Sequence, residues 1–340
     1  MSGPKRVLPA AGTAVSGSAA GRDLDLLVIG DCNPDVLVLG DDVTPAFGQQ
    51  EKLVDAVSLE IGGSAAITAV AAARLGLKVA LAAAVGADPA GTFMLDQLAR
   101  EGVDVSAVVV RADAPTGMTV ALSKGGDRAI LTALGAIASL TAADIQPSLL
   151  ARARHVHVSS YFLLADSLGP GLAAMMSAAR SAGAATSLDT NWDPSGRWRD
   201  ERLSAAIEQA DVLLPNEAEG LALSGAATAG AAATTLAAGG SKVAVKLGSR
   251  GVLCADGPVL AQVSIPPVIP VDATGAGDCF NAGLIAGLLQ GLALADAAAL
   301  GCAAGALSTR APGGTASAPD LAAAAGLAKL ASVRSPSRTG

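Results

Sequence analysis

Apolar and polar positions alternate in a regular order from Leu24 onward. A short apolar run with an acidic residue on either flank, at 24–29, predicts a buried parallel strand, and 36–39 predict a second short strand. Further strands are predicted at 78–84, 155–159, 185–189, 211–214 and 242–247, and helices at 89–101, 170–182, 200–209, 216–224 and 228–238. This order predicts an α/β fold in which a doubly wound, mostly parallel sheet carries helices on both faces.

Two segments, 36–61 and 105–132, break the alternation. The first mixes charged residues with Pro and Gly. The second predicts consecutive strands, at Val105–Val110, Gly117–Ser123 and Arg128–Thr132. We expect the two segments to form a small β-sheet lid over the edge where the carboxyl ends of the parallel strands open.

The ends of the chain differ from its middle. Residues 1–22 are rich in Gly, Ala and Ser and predict a disordered leader, and 333–340 predict a flexible tail. Residues 23–332 show no internal repeat and no linker, which indicates one domain. Its last part predicts three alanine-rich helices, near 276–290, 293–308 and 319–331.

The composition narrows the classes of function. The formal net charge is −7, and the chain has two Trp, one Tyr and four Phe. Nucleic-acid binding uses a basic groove and aromatic platforms, so we expect no nucleic-acid partner and no site built on stacked rings. The apolar stretch 279–295 is interrupted by Asn281 and Gln290. It is too short and too polar for a membrane span, so we expect no membrane partner.

The cysteines and histidines predict neither a disulfide nor a metal site. His155 and His157 do not stand at metal-ligand spacing from any cysteine. The four cysteines lie far apart and form no C-x-x-C pair: Cys32, Cys254, Cys279 and Cys302. We expect buried free thiols in a reducing compartment, which favours a cytoplasmic protein.

The strongest chemical signal is the segment 271–278, VDATGAGD in one-letter code, which runs into an apolar helix. Gly275 and Gly277 let the backbone bend so that several N–H groups point into one space, and the helix adds free N–H groups and the positive end of its dipole. The segment, including Ala276, therefore predicts an anion hole. A carboxylate at Asp278 can then accept a proton from an attacking hydroxyl. Taken alone, Asp278 would be a capping acid of a buried helix.

This anion hole belongs to neither of two common phosphate-binding loops. The sequence has no G-x-x-x-x-G-K-[ST] motif, and the last position of a G-x-G-x-x-G pattern that starts at Gly275 is Phe280.

Four segments resemble those of the ribokinase-like carbohydrate kinases, also called the phosphofructokinase-B family. Residues 272–278 resemble the C-terminal signature, and 62–76, where two glycines open a helix that ends in Arg-Leu-Gly, resemble the N-terminal one. Residues 216–219 resemble the N-x-x-E motif, and 126–136 resemble another shared segment. The pieces occur in family order and cover about residues 24–331, so the resemblance implies a ribokinase-like fold and an ATP-dependent kinase of small sugars.

The resemblance also implies roles for individual residues. Asp278 resembles the base that deprotonates the acceptor hydroxyl, and Gly275, Ala276 and Gly277 resemble the anion hole. Asn216 and Glu219 resemble the pair that positions Mg²⁺ through water, and their spacing at a helix start lets both face one point. A capping role at the start of this helix would explain the two residues equally well.

Further residues are candidates for the nucleotide site and for a cation site. Lys246, Gly248 and Gly251 are candidates, with Asn216, for contacts with the nucleotide. Asp272 and Thr274 resemble positions that hold a monovalent cation such as K⁺ beside the anion hole.

The acceptor site is expected near the end of the first strand. Asn33 and Asp35 resemble the residues that grip the hydroxyl groups of the acceptor, together with the glycines at Gly62 and Gly63. Ile67 stands where family members usually carry Asn. Ser64 stands where many ribose kinases carry Lys, so ribose is a less favoured acceptor than a nucleoside or a modified or deoxygenated sugar.

Three alternatives follow from these residues. The first is a carbohydrate kinase, the second a nucleoside kinase on the same fold, and the third a catalytically weak sugar-binding or regulatory protein. The intact segment 275–278 argues against the third. A homodimer through the β lid is also expected from the resemblance.

Overall fold

The computed structural model describes residues 21–124, 127–198 and 200–335. The predicted leader therefore lies outside the described residues, except for its last two. The strands are β1 Leu24–Ile29, β2 Asn33–Leu39, β3 Ala56–Gly62, β4 Val79–Ala82, β5 Ala84–Gly86, β6 Val109–Arg111, β7 Met118–Lys124, β8 Asp127–Ala133, β9 Ala153–Val158, β10 Ala185–Leu188, β11 Val212–Leu213, β12 Lys242–Lys246, β13 Val252–Asp256, β14 Val259–Ser264 and β15 Ser332–Arg334.

The helices alternate with these strands. They are α1 Ser64–Arg74, α2 Pro89–Arg100, α3 Pro147–Arg152, α4 Tyr161–Leu164, α5 Gly169–Ser181, α6 Glu201–Ile207, α7 Glu217–Ser224, α8 Ala229–Ala237, α9 Ala276–Leu289, α10 Leu294–Ser308 and α11 Leu321–Ala328, with 3₁₀ turns at Gly135–Ser139, Ala142–Asp144 and Gly248–Arg250.

The described residues form a nine-stranded main sheet in the order β15-β14-β13-β12-β11-β10-β9-β1-β4. From β4 to β12 the neighbouring strands run parallel, and from β12 to β15 they run antiparallel. The predicted doubly wound, mostly parallel sheet is therefore confirmed. The antiparallel edge was not predicted, and residues 333 and 334, predicted as tail, belong to β15. They pair with β14, where Val333 lies opposite Val263 and extends the ladder.

A four-stranded sheet, in the order β3-β2-β7-β8, forms the lid. It uses both predicted segments, but the predicted strand Val105–Val110 is wrong. The strand there is β6, which pairs in parallel with β5 in a separate two-stranded sheet. The backbone N–H of Val109 donates to the carbonyl of Ala83, so this segment follows the main sheet rather than the lid.

Two hydrophobic cores cover the two faces of the main sheet. On one face α1, α9 and α10 pack together, and small residues let them approach closely. A Cβ built at Gly283 of α9 would lie 2.8 Å from the carbonyl oxygen of Leu300 in α10, so only glycine fits there. As a result α9, which begins at the predicted anion hole, is fixed between two helices.

Both histidines lie buried in the interior of the main sheet. Nε2 of His155 and Nδ1 of His157 each lie 2.7 Å from the hydroxyl of Ser187. Burial lowers the pKa of His155 to about 3 and that of His157 to about 4, so both rings are neutral near pH 7.

In the part of the chain that the structure describes, no single helix has the length and apolarity needed to cross a membrane. The bent pair α7 and α8 meets that test only when its two helices are taken together.

Candidate active site

Polar side chains collect at the edge of the main sheet where the parallel strands end. Asp31 follows β1, Asp189 follows β10 and Lys246 ends β12. Because parallel strands all open at one edge, these residues meet the amino end of α9, which carries Asp278.

The anion loop consists of residues 275–278. Gly275 caps α9 with a φ of 70°, and a Cβ there would lie 2.7 Å from Cα of Gly314, so this position requires glycine. Gly277 is different, because its backbone is helical and a Cβ there would lie 3.6 Å from Nζ of Lys246. Helix geometry leaves the first-turn N–H groups of Gly277 and Asp278 directed outward. The loop thus brings N–H groups, a helix dipole and a lysine to one point, as an anion site needs.

Asp278 is 8 % exposed and lies in the first turn of α9. Burial and the negative charge of Asp189 raise the pKa of Asp278 well above its usual range, although Lys246 and a hydrogen bond from Ser64 act in the opposite direction. A carboxylate with a raised pKa holds a proton more strongly than a free one. It is therefore suited to take a proton from a hydroxyl group near neutral pH.

A buried ion pair supports this carboxylate. Nζ of Lys246 lies 2.5 Å from Oδ2 of Asp189, and Nδ2 of Asn281 donates to the same oxygen at 2.6 Å. Burial alone would raise the pKa of Asp189, but Lys246 and Asn281 hold it below its usual value. Burial lowers the pKa of Lys246, but Asp189 and Glu219 outweigh it and raise the value, so both partners stay charged.

Sequence reasoning assigned Lys246 to the nucleotide but missed Asp189 and Asn281. Asp189 directly follows a buried strand, which was the available signal. Asn281 stands three residues after Asp278 in an apolar helix, where we interpreted it only as an interruption of an apolar stretch.

Asn216 and Glu219 form a capping box at the start of α7. Oδ1 of Asn216 accepts from the N–H of Glu219 at 2.9 Å, and Oε2 of Glu219 accepts from the N–H of Asn216 at 2.8 Å. Burial, together with the charge of Asp189, raises the pKa of Glu219 to about 7. The capping role expected as an alternative is thus present, and the metal role stays a prediction.

The two glycines predicted near the nucleotide differ in their surroundings. Gly248 begins the 3₁₀ turn after β12 and Gly251 directly follows it, with φ angles of 60° and 89°. A Cβ at Gly251 would overlap the carbonyl of Val263, whereas at Gly248 it would meet open space. Gly251 is therefore required by packing, and Gly248 borders an open surface.

Asp272 connects the start of the anion loop with the segment that contains Gly313. Its Oδ1 accepts from the N–H of Thr274 at 2.9 Å and from the Thr274 hydroxyl at 2.7 Å, while Oδ2 accepts from the N–H of Gly313 at 2.9 Å. Among the described residues there is no cluster of three or more His, Cys, Asp or Glu side chains that would hold a metal ion.

The predicted acceptor residues lie together at the start of β2. Nδ2 of Asn33 donates to Oδ1 of Asp35 at 3.0 Å and to the hydroxyl of Thr119 in the lid at 3.1 Å. A Cβ at Gly62 would overlap the carboxylate of Asp35, and Gly63 has a φ of 84°, so the pair of glycines lets the chain pass beside this carboxylate.

Asp31, which sequence reasoning also missed, caps α1 from another element. Its two carboxylate oxygens accept from the N–H groups of Ser64 and Ala65, both at 3.0 Å. Its carboxylate is thereby fixed beside the glycines of the acceptor site.

Ile67 packs beneath the anion loop. Its side chain is 3 % exposed. A Cβ at Gly314 would lie 2.5 Å from Cδ1 of Ile67, and a Cβ at Gly275 would lie 3.0 Å from Cγ2. Its side chain belongs to the core around α1 and also packs against the loop backbone at Gly275 and Gly314. A role of Ile67 in the choice of acceptor stays a prediction.

Comparisons with known proteins identify the family of this chain. A family profile described as pfkB family carbohydrate kinase matches residues 23–321. A 2-dehydro-3-deoxygluconokinase of Bacillus subtilis is 34% identical over 307 residues, which are 84% of this chain and 90% of that protein. A fructokinase of Salmonella typhimurium is 33% identical over 265 residues, 75% of this chain and 85% of that one.

A solved structure has the same fold. The crystal structure of a putative ribokinase II from E. coli aligns with a TM-score of 0.80 at 24% identity, over 89% of this chain and 98% of that one. The ribokinase-like fold expected from the sequence is therefore confirmed.

Proposed function

Because this chain belongs to the pfkB family of carbohydrate kinases, and is thus a phosphotransferase with a sugar hydroxyl as acceptor, we propose that it transfers the γ-phosphate of ATP with Asp278 as the general base. One observation carries the proposal. A buried carboxylate with a raised pKa stands in the first turn of α9, beside Lys246 and the outward N–H groups of the anion loop.

The transfer follows from the position of these groups. The acceptor hydroxyl gives its proton to Asp278 while its oxygen attacks the γ-phosphorus, and the bond from that phosphorus to the β–γ bridging oxygen breaks to release ADP. Negative charge on the phosphoryl oxygens is balanced by the N–H groups at Gly277 and Asp278 and by Lys246. The Asp189–Lys246 pair fixes the ammonium group in advance, so little rearrangement is needed during the transfer.

Asn33 and Asp35 would orient the acceptor. An ionised carboxylate can accept hydrogen bonds from two hydroxyl groups of one sugar, and Asn33 already holds Asp35 in place. The link from Asn33 to Thr119 joins this grip to the lid. We include Lys246 and Gly248 in the nucleotide site, since Gly248 borders open space at the end of β12.

Asn216 and Glu219 fit a magnesium ion only when that ion is already bound to the phosphates of the nucleotide. Both oxygens of Glu219 are engaged by Asn216. The ion would therefore keep most of its waters, bind mainly to ATP phosphates and reach Glu219 through water. When bound, Mg²⁺ neutralises phosphate charge.

We extend the proposal to a monovalent cation near Asp272 and Thr274. The carboxylate of Asp272 is occupied by loop groups, so its part would be to supply negative charge beside the anion loop. Activity in KCl compared with equal concentrations of NaCl and tetramethylammonium chloride tests this, and equal rates in all three salts would remove the cation from the proposal.

A coupled ADP-release screen with ATP and Mg²⁺ tests the main proposal. The acceptors are 2-dehydro-3-deoxygluconate, D-fructose, D-ribose, 2-deoxy-D-ribose and adenosine, so that sugar and nucleoside kinases are distinguished. We expect at least one sugar to release ADP above the background of ATP alone. ADP release with adenosine only would instead favour the nucleoside kinase, and no release with any acceptor would contradict the proposal.

We also propose a homodimer through the lid. Apolar side chains on its two edge strands are well exposed: Val57, Leu59, Ile130 and Leu131. Unpaired edges with apolar side chains favour association with another sheet. Analytical ultracentrifugation of wild type and of a Val57→Lys/Leu59→Lys variant tests this. Val259→Lys, which changes an equally exposed valine on β14, is the control. A monomeric wild type would refute the dimer.

A cytoplasmic location is part of the proposal. The four cysteines are free and buried, as in proteins of reducing compartments.

A further inference from the structure

Aromatic side chains form a connected cluster beside the candidate active site. The rings of Tyr161 and Phe162 lie 5.3 Å apart, those of Phe162 and Trp198 5.3 Å, and those of Trp198 and Trp192 5.0 Å, each pair edge to face. Four of the seven aromatic residues, and both tryptophans, are in this cluster. From the small number of aromatic residues we expected no site built on stacked rings. The fold nevertheless brings four of these residues together in one place.

A hydrogen bond connects the cluster to Ser64 at the start of α1. Asn191, which directly precedes Trp192, donates from Nδ2 to the hydroxyl of Ser64 at 2.5 Å. Ser64 in turn lowers the pKa of Asp278, which places its hydroxyl near that carboxylate. The backbone N–H of Ser160, which precedes Tyr161, donates to Oδ1 of Asn191 at 3.1 Å. The segments that carry the aromatic residues are thus tied to the start of α1, where Asp31 accepts from Ser64 and Ala65.

The loop that carries the two tryptophans is held firmly. Asp193 is 4 % exposed, and its carboxylate accepts from the N–H and the hydroxyl of Ser195 at 2.8 and 2.7 Å and from the N–H of Trp198 at 2.7 Å. Asn191 and Trp198 have left-handed φ angles of 56° and 57°. Non-glycine residues persist in this conformation where the surroundings enforce it, which occurs most often at functional sites.

Within this fixed loop one indole is left open. Trp192 is 60 % exposed, whereas Tyr161 at the other end of the cluster is 1 % exposed. A rigid aromatic face held in water beside a binding site is suited to contact a ligand, because little side-chain freedom is lost on binding.

We propose that Trp192 forms a wall of the acceptor site and that the acceptor is a ring-closed sugar that lays a C–H face on this indole while Asp35 binds its hydroxyl groups. These two kinds of contact follow from the chemistry of the side chains. Carboxylates such as Asp35 and Asp278 bind hydroxyl groups, whereas the apolar indole face suits the C–H side of a sugar ring. Trp192 is then a specificity-determining residue. The inference rests on the proposed function, because it assigns the acceptor to the site of Asp278.

Intrinsic fluorescence tests the contact without catalysis, because both tryptophans of the chain lie in the cluster. The probes are 2-dehydro-3-deoxygluconate, D-fructose and D-ribose, titrated into wild type, Trp198→Phe and Trp192→Phe. We expect one probe to change the emission of Trp198→Phe, in which Trp192 is the remaining indole, and to leave that of Trp192→Phe nearly unchanged. A response that follows Trp198, or no response to any probe, overturns the proposal.

Kinetics provide the second measurement. For the phosphorylated sugar, Trp192→Ala should raise KM by roughly five- to tenfold and keep kcat within about twofold, and Trp192→Phe should restore most of the affinity. Leu330→Ala, at a residue of matched exposure in the C-terminal part of the chain, is the control. An unchanged KM in Trp192→Ala overturns the inference while the kinase remains. If wild type phosphorylates no sugar, the proposed function fails, and the fluorescence titration still decides whether Trp192 binds one.

Discussion

Replacing Gly277 by alanine should separate the chemistry of the anion loop from its folding. The backbone of Gly277 is helical, and the nearest atom to an added Cβ is Nζ of Lys246, at 3.6 Å. An alanine in a helix is up to about 1 kcal/mol more stable than a glycine, and roughly half of that applies in the first turn, which corresponds to a rise in Tm of about 1 °C. Gly277→Ala should therefore fold at least as well as wild type.

The same methyl group should strongly reduce activity. It would stand between the outward N–H groups of the loop and Lys246, where a phosphoryl oxygen has to approach. Loss of one such donor elsewhere costs roughly 10²–10³ in kcat, and we expect a fall of about this size. Measuring Tm by circular dichroism and kcat by coupled ADP release gives both numbers on one preparation.

Two other glycines complete the experiment. Gly326→Ala places a methyl in open space on α11 and should give a similar rise in Tm with unchanged kcat. Gly275→Ala should lose activity through misfolding, because its φ of 70° costs about 1–2 kcal/mol for alanine and its Cβ would press on Gly314. If Gly277→Ala keeps kcat within about threefold of wild type, the loop does not bind the transferred phosphoryl group.

Three further predictions concern neighbouring side chains. Asp278→Asn should lower kcat by roughly 10²–10⁴-fold with the KM of the sugar nearly kept, and near-normal turnover would exclude Asp278 as the base. Asp278 acts only when ionised and Asp189 raises its pKa, so kcat/KM should fall as the pH drops through this raised pKa. Asp189→Asn should then move the acidic limb of the pH profile to lower pH, and an unmoved limb would contradict the coupling. Glu219→Gln should raise the Mg²⁺ concentration needed for half-maximal rate, and an unchanged titration would leave Glu219 with its capping role alone.

The parts of the site that follow from neighbouring residues could be predicted from the sequence. The left-handed turn at Gly275 and the first-turn position of Asp278 depend on a few consecutive residues, and so does the capping box of Asn216 and Glu219. The same is true of the strand–helix order, because each buried strand carries its own apolar run.

Contacts between distant segments could not be predicted in this way. Asp189 directly follows β10, whereas Lys246 ends β12 and Asn281 lies in α9, and the three meet only because the fold places those elements side by side. The packing of Ile67 beneath Gly275 could not be predicted because an alanine-rich helix gives little signal about which face meets the sheet. The edge strands β13 to β15 were missed because the expected helix–strand alternation stops there.

Helix α1 links the two proposed substrate sites. Asp31 caps its start beside Gly63, in the proposed acceptor site, and four residues later Ile67 packs against Gly275 of the anion loop. Four residues are about one turn of helix, so both ends of this turn move as one rigid piece. A substitution that shifts the turn should therefore disturb acceptor binding and phosphoryl transfer together.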